Sequence, residues 1–304
     1  MTFSVVKAGP QTTIQDAGRA GYSHLGMTEG GPMDVRSFVI ANKLVGNPDH
    51  LAGLEVTLGG LELICNAPTT LAVTGAYCPL LINGKPRPLW CSHRVETGDR
   101  IELGFAALGV RAYVAFTGGL MSESWYHSQS VVVREGLGRA LQNGDDLTVQ
   151  ETHPAPLRQL KFHQQPSLRK WATLTFVPGF QWQHIPEHSQ TQFLNSEFRV
   201  SARSDRMGCQ LDGPGIDTGI ERLYSEGICT GSIQVTGQGV PVVLMRDHQT
   251  IGGYPKLGAL TTASQCTLAQ LPQNSALRFK AISSQQGIEE FRAFNAGLAA
   301  LSFA

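Results

Sequence analysis

The apolar residues of this chain come in runs of four to eight, rich in Val, Ile, Leu and Thr and closed by Gly, Pro, Asn or Asp. That spacing limits the fold more than any other feature, because runs so short and so bounded suit strands and leave little room for helices. LEVTL (54 to 58), TTLAVTG (69 to 75), RAYVAFTG (111 to 118), GSIQVTG (231 to 237), PVVLM (241 to 245) and ALRFKAI (276 to 282) are the clearest cases. In LLINGKPRPL, Asn83 and Gly84 supply the two positive-φ positions of a type I′ hairpin turn. The expected class is all-β, mainly strands with a few helices.

Two helices interrupt the pattern. In MDVRSFVIANKLVGNP, Asp34 is placed to cap the first turn, Val35, Phe38, Val39 and Asn42 share a face, and Gly46 with Pro48 supplies the stop. Near the end, Ile288, Phe291, Phe294, Leu298 and Leu301 recur at helical spacing. Both helices are expected to pack on sheet surfaces. The stretch 152 to 171 holds three prolines and no strand alternation, so it reads as a boundary. The expected organisation is an N-terminal β domain over 1–155, a linker over 156–172, and a C-terminal β domain with its helix over 173–304. A faint repeat relates LEL and LAVTGA (61 to 76) to IQV and VVLMRD (233 to 247), suggesting two β units of related design.

Composition narrows the function. The 24 basic residues equal the 24 acidic ones, so no overall field draws in nucleic acid or an anionic membrane. No apolar run approaches the ~18 residues needed to cross a bilayer. Cys65, Cys78, Cys91, Cys209, Cys229 and Cys266 form no CxxC pair and the first residues lack a signal peptide, which points to reduced thiols in the cytoplasm. The chain has no P-loop, because Gly84-Lys85 is followed by Pro86, and it has no GxGxxG, GxSxG or HExxH motif. His184 and His188 have the i, i+4 spacing of a metal pair, yet Pro186 separates them and no third ligand is near. They read as surface histidines, and no metal site is expected.

Three loops carry more polar chemistry than connections need. Residues 15 to 34 combine Gly18, Gly21, Gly26, Gly30 and Gly31 with Asp16, Arg19, Tyr22, His24, Glu29 and Asp34. Such a loop either brings backbone N–H groups to a ligand or is a long connection in which Asp16 and Arg19 pair. Residues 203 to 214, RSDRMGCQLDGP, set Arg203, Asp205 and Arg206 together: a guanidinium fork for an anion with an aspartate to hold it, or an internal salt bridge. Residues 246 to 258, RDHQTIGGYPKLG, offer Asp247 and His248 for proton transfer, the Gln249 amide, close backbone at Gly252 and Gly253, the Tyr254 hydroxyl and Lys256. The alternative for this third loop is a hairpin with a polar tip.

These loops also carry a family resemblance. IQDAGRAGY, GPMD and ANKLVGN near the start, LEVTLGG, YVAFTGG, SDRMGCQLDGP and GSIQVTGQGVPVVLMRDHQTIGGYPKLG resemble the carboxyltransferase-like family of the 5-oxoprolinase C subunit, KipA, allophanate hydrolase subunit 2 and the carboxyltransferase domain of urea carboxylase. The resemblance implies two β-barrel-like domains similar to cyclophilin. It implies two partner chains, one KipI-like and one LamB/YcsF-like, with ATP bound together with Mg at a partner interface. The implied reaction is ATP-dependent opening of the 5-oxoproline lactam to L-glutamate. A lactam carbon is a poor electrophile, and phosphorylating its oxygen makes attack by water feasible.

Carried over by position, the resemblance supports Asp16, Gly18 and Arg19 in the first loop and Ser204, Asp205, Arg206 and Met207 in the second. In the third it supports Asp247, Gln249, Gly252, Gly253 and Tyr254. Arg206 and Arg19 are expected to bind an anionic group, Asp247 to orient or act as base, and Tyr254 to close over a small cyclic amide. Ser204, Asp205, Gln249, Gly252 and Gly253 complete the expected substrate-binding set. The segment 119 to 139 departs from the family pattern. Two alternatives follow: a KipA-like regulator that sequesters a KipI-like kinase inhibitor, and a carboxyltransferase component acting on urea-type substrates. No biotin-carrier segment is present, so no covalent biotin is expected.

Overall fold

A computed structural model describes residues 1–150, 155–220 and 223–304. Residues 152–154 of the expected boundary lie outside the described part. The chain divides into two compact units. One comprises Met1–Arg19, Gly30–Leu168 and Leu298–Ala304; the other comprises Ala20–Glu29 and Arg169–Gly297. Strands dominate, and the described residues include four α-helices.

The first unit is built from two antiparallel sheets. The larger runs in the order Leu120–Met121, Asp146–Val149, Phe3–Ala8, Leu61–Cys65, Arg100–Leu103, Leu80–Ile82, Lys85–Arg87. The smaller runs Gln11–Gln15, Gly53–Thr57, Leu108–Phe116, Thr69–Tyr77, Ser92–Val95. Their inner faces share one core in which Phe3, Leu54, Leu63, Leu71 and Phe116 are fully buried, and the rings of Phe3 and Phe116 lie 4.8 Å apart. The helix Val35–Leu44 covers the other face of the smaller sheet, packing Phe38, Ile40 and Leu44 near Ala72, Tyr113 and Ala115. Burial on both faces explains why TTLAVTG reads as a continuous run instead of an alternating one. Asp34 caps this helix as expected, accepting from the Ser37 N–H. Asn83 and Gly84 take φ of 53° and 71° between the paired strands Leu80–Ile82 and Lys85–Arg87.

In the second unit seven strands close into a barrel: Trp171–Pro178, Lys256–Leu260, Ser232–Val235, Pro241–Leu244, Gly208–Asp212, Phe198–Val200 and Ala276–Ala281. Closure is made by parallel pairing of Ala276–Ala281 with Trp171–Pro178, which leaves no free edge in this sheet. An aromatic cluster of Phe176, Phe193, Phe198 and Phe279 contributes much of the core, with Phe193 and Phe279 stacked at 4.5 Å. Phe193 is carried by the helix Glu187–Asn195.

Two local expectations change and a third, the surface placement of His184 and His188, is met. The helix Ser284–Ala299 forms, but Ile288 and Phe291 are exposed. Its barrel side is instead the small and polar one: a Cβ on Gly287 would lie 2.8 Å from Val177, and Glu290 accepts from the Thr175 hydroxyl at 2.9 Å. Leu301 lies past its end. The faint repeat has no counterpart in pairing, because Leu61–Cys65 and Thr69–Tyr77 sit in different sheets whereas Ser232–Val235 and Pro241–Leu244 are direct neighbours. His184 ends one short helix and His188 lies in the next, both exposed.

Candidate functional site

The second and third loops leave adjacent barrel strands. Gly208 pairs with Leu244, and beyond that register the Met245 N–H donates to the Met207 carbonyl at 2.9 Å and the Asp247 N–H to the Arg206 carbonyl at 2.8 Å. This prolonged ladder sets Arg206 opposite Asp247. Their side chains are buried and pair in fork geometry, Nε to Oδ2 at 2.9 Å and Nη2 to Oδ1 at 2.8 Å. The fork is therefore held by an aspartate 41 residues along the chain rather than by its neighbour. Asp205 is exposed, and one of its carboxylate oxygens accepts the Met207 and Gly208 N–H groups, turning the loop back on itself. Ser204 is half-buried and donates to the Gln210 carbonyl at 3.3 Å.

Further along the third loop the chain forms a small ribbon in which Ile251–Gly252 pairs with Glu226–Gly227. A polar cluster ties this ribbon to the barrel. Lys256 meets Glu226 at 2.8 Å, Gln181 donates to Glu226 at 2.5 Å, and the Lys256 N–H donates to Gln181 at 2.6 Å. The hydrogen bond from Lys256 holds the Glu226 carboxyl below its usual range. The ribbon lies over Gln234, and a Cβ on Gly252 would come within 2.7 Å of Gln234 Nε2. His248 is buried at the root of the loop, with Nε2 3.2 Å from the Thr230 hydroxyl and its carbonyl accepting from Thr28.

A cleft of about 1120 Å³ opens beside the ribbon. It is lined by Gly253, Tyr254 and Pro255 of the third loop, by Val235 to Gly239 at a strand end, and by the segments 215–220 and 223–224. Tyr254 and Tyr224 are exposed. Among the described residues the only charged side chain in the lining is that of Asp217. A triphosphate needs cations or clustered donors to offset its charge, and the described residues of this lining supply no cation. Among the described residues no three His, Cys, Asp or Glu side chains converge as metal ligands would.

The first loop's candidates belong to the other unit, where they fasten a segment. Asp16 accepts from the Ser128 and Ser130 hydroxyls, both at 2.6 Å, from the Gln129 N–H at 2.7 Å, and from the Gly18 N–H at 2.9 Å. Arg19 is buried and donates to the Ser130 and Trp125 carbonyls. Both residues thus hold residues 125–130. Close by, Met33 and Tyr113 both donate to Glu55 at 2.8 Å, and burial raises the Tyr113 phenol well above its usual range.

The structure therefore joins Arg206 to Asp247, gathers Gly253 and Tyr254 into a cleft, and leaves Asp16 and Arg19 in separate work. Gln181, Glu226 and Gln234 were not anticipated. Only Gln234 left a signal, as an amide inside the apolar strand run SIQV.

With this geometry in place, comparison with known proteins assigns the class. Residues 25–281 match the family described as carboxyltransferase domain, subdomain A and B, and the chain belongs to that family. Among its relatives, the C subunit of 5-oxoprolinase from Escherichia coli strain K12 is 31% identical over 94% of this chain and 93% of its own length. The C subunit of the Haemophilus influenzae 5-oxoprolinase is also 31% identical, over 93% and 92%. A putative urea carboxylase of Emericella nidulans is 32% identical over 92% of this chain but only 24% of its own length. The crystal structure of the Kluyveromyces lactis urea amidolyase superposes with a TM-score of 0.92 at 25% identity, over 98% of this chain and 20% of that one.

Proposed function

We propose that this chain is the C subunit of an ATP-dependent 5-oxoprolinase complex, holding the lactam substrate while companion chains supply the nucleotide. The observation that carries this reading is coverage. The chain spans 93% and 92% of the two 5-oxoprolinase relatives, against 24% of the urea carboxylase, in which the matching region is one part of a longer protein. The cleft supports it, since a small cyclic amide needs donors, acceptors and an aromatic wall more than a strong field.

In this proposal the nucleotide, with its Mg, is held by a KipI-like or a LamB/YcsF-like companion chain, a reading supported by the lack of a cation among the described residues of the cleft. Bound there, ATP would activate the lactam oxygen toward hydrolysis. Tyr254, at the mouth of the cleft, closes over the ring. Asp247 acts by position, because both of its carboxylate oxygens are engaged by Arg206. The Arg206–Asp247 pair sets the root of the loop that carries Gly253 and Tyr254.

The test is to purify the chain with and without both companions and measure ADP and glutamate formed from 5-oxoproline. Turnover that needs all three chains and falls in Tyr254→Ala supports the proposal. No turnover in any combination, with tight binding to the KipI-like chain retained, rejects it and favours the regulator; carboxylation of urea would favour the carboxyltransferase alternative.

A further inference from the structure

Four strand connections of the first unit meet and carry no charge. The stretches 8–15, 56–61, 63–84 and 103–110, which contain them, hold no Asp, Glu, Lys or Arg. Backbone hydrogen bonds lock the connections together: the Ala106 N–H donates to the Leu58 carbonyl at 2.9 Å, the Ala107 N–H to the Tyr77 carbonyl at 2.9 Å, and the Gly104 N–H to the Pro79 carbonyl at 2.8 Å. Their backbones leave no room for side chains between them, since a Cβ on Gly9 would strike the Gly59 carbonyl and one on Gly59 the Gly104 carbonyl. What they expose is apolar. Leu58 is 46% exposed, Tyr77 62% and Phe105 67%, and Pro10, Pro79 and Ala107 are exposed with them. Leu58 is also held at a φ of 64°, a left-handed conformation that glycine or asparagine adopts with far less strain. A leucine both strained and half exposed serves neither its turn nor its own core, and strain of this kind gathers where a surface is used.

We infer that this patch is an isologous interface, on which a second copy of the chain docks about a two-fold axis. In an isologous contact each surface meets its own copy, so a charge in the patch would face its own kind, and a charge-free patch avoids that repulsion. The charges that flank the connections are neutralised within the chain, Lys7 by Glu62 at 3.0 Å and Arg111 by Glu55 at 3.8 Å. With 24 basic and 24 acidic residues, two copies also approach without net repulsion. A partner of different sequence is steered and selected by complementary charge, and this patch offers none. Size agrees: two aromatic rings and a leucine exposed to this degree, with their small neighbours, make a patch on the order of 500 Å², as large as the largest on a typical monomer. Two copies face to face would cover about 1,000 Å², the lower bound of a specific interface. The locked backbones form this surface in advance, so little is left to order on binding.

Sedimentation velocity of the full chain over roughly 1–100 µM tests the inference, with Leu58→Asn and Phe105→Glu as variants. The expected result is a reversible monomer–dimer equilibrium with a micromolar dissociation constant. Both variants should raise that constant about 10-fold or more, Phe105→Glu further because it sets like charges against each other. At a concentration where the parent is monomeric, Leu58→Asn should unfold at the parent's temperature or above it, because asparagine tolerates the left-handed backbone. A leucine with a purely structural role would make that variant unfold at a lower temperature. A parent that stays monomeric at about 100 µM, a dimer that both variants leave intact, or a lower unfolding temperature for Leu58→Asn overturns the inference. A chain that is monomeric alone and loses companion binding in the variants overturns it as well and assigns the patch to the companion. The inference goes beyond the proposed function: self-association reads this patch and turnover of 5-oxoproline reads the complex, so either can fail while the other stands.

Discussion

Removing one half of the Arg206–Asp247 pair should be far more damaging than removing both. The pair is buried on both sides, with side-chain exposures of 6% and 8%, and its two hydrogen bonds measure 2.9 and 2.8 Å. Asp247→Ala leaves a guanidinium in a site that water scarcely reaches, a cost of about 3–5 kcal/mol. Replacing both with apolar residues of similar size, Arg206→Met with Asp247→Leu, removes the stranded charge and should cost little or even stabilise. The backbone straps between Met207 and Met245 and between Arg206 and Asp247 report the change locally, so amide hydrogen exchange at residues 244–248 is the appropriate assay. A loss of about 3–5 kcal/mol corresponds to exchange faster on the order of 10²- to 10³-fold or more in the single variant. Urea unfolding of both single variants and the double variant completes the cycle. A double variant as unstable as the sum of the two single ones would refute the reasoning, because coupling between the charges would then be absent.

Other outcomes follow from individual contacts. Gly258→Ala should destabilise the barrel by roughly 1–3 kcal/mol, since the added methyl meets the Val177 carbonyl and Phe176 on the neighbouring strand; thermal unfolding measures it. Asp16→Ala removes four hydrogen bonds that hold residues 128–130 and the loop itself, and should cost about 2 kcal/mol or more and open the 122–130 segment to limited proteolysis. Of the six thiols only Cys229 is exposed, and burial pushes Cys78 up to about 12 and Cys65 and Cys91 up to about 11. At pH 8 a disulfide reagent should therefore titrate one thiol in the native chain and six after unfolding. Glu226 has a folded pKa below its unfolded value of 4.5, so its tie to Lys256 is present above that value and lost as pH falls through the lowered one. Hydrogen-exchange protection in the ribbon 226–227 and 251–252, taken relative to the intrinsic rate at each pH, should fall over that acidic range and stay constant between pH 6 and 8.

What was legible in the sequence was local. The hairpin at Asn83-Gly84 follows from the φ those residues tolerate, and the start of the helix Val35–Leu44 follows from the cap at Asp34. Gly253 and Tyr254 stood out because such a dense polar loop is unusual, and both line the cleft. Where expectation and structure part, the deciding contact is distant in sequence. The apolar spacing of Ile288 and Phe291 set the helix period, but Gly287 and Glu290 met the barrel, where a Cβ on Gly287 would crowd Val177 and the Glu290 carboxylate accepts from Thr175. Gln181 and Glu226 carry no local mark at all, since their bond spans 45 residues.

By itself the sequence determined that this protein is built of strands, where its clearest strands and one two-residue hairpin turn lie, and which loops carry polar chemistry. Only the tertiary structure decided that Arg206 closes on Asp247, that Gln234 is buried beneath Gly252, and that Asp16 and Arg19 secure residues 125–130. Residue type and spacing encode backbone preference over a few positions. Which loop ends face each other depends on strand order, and here the pairing of Gly208 with Leu244 placed two distant loops side by side.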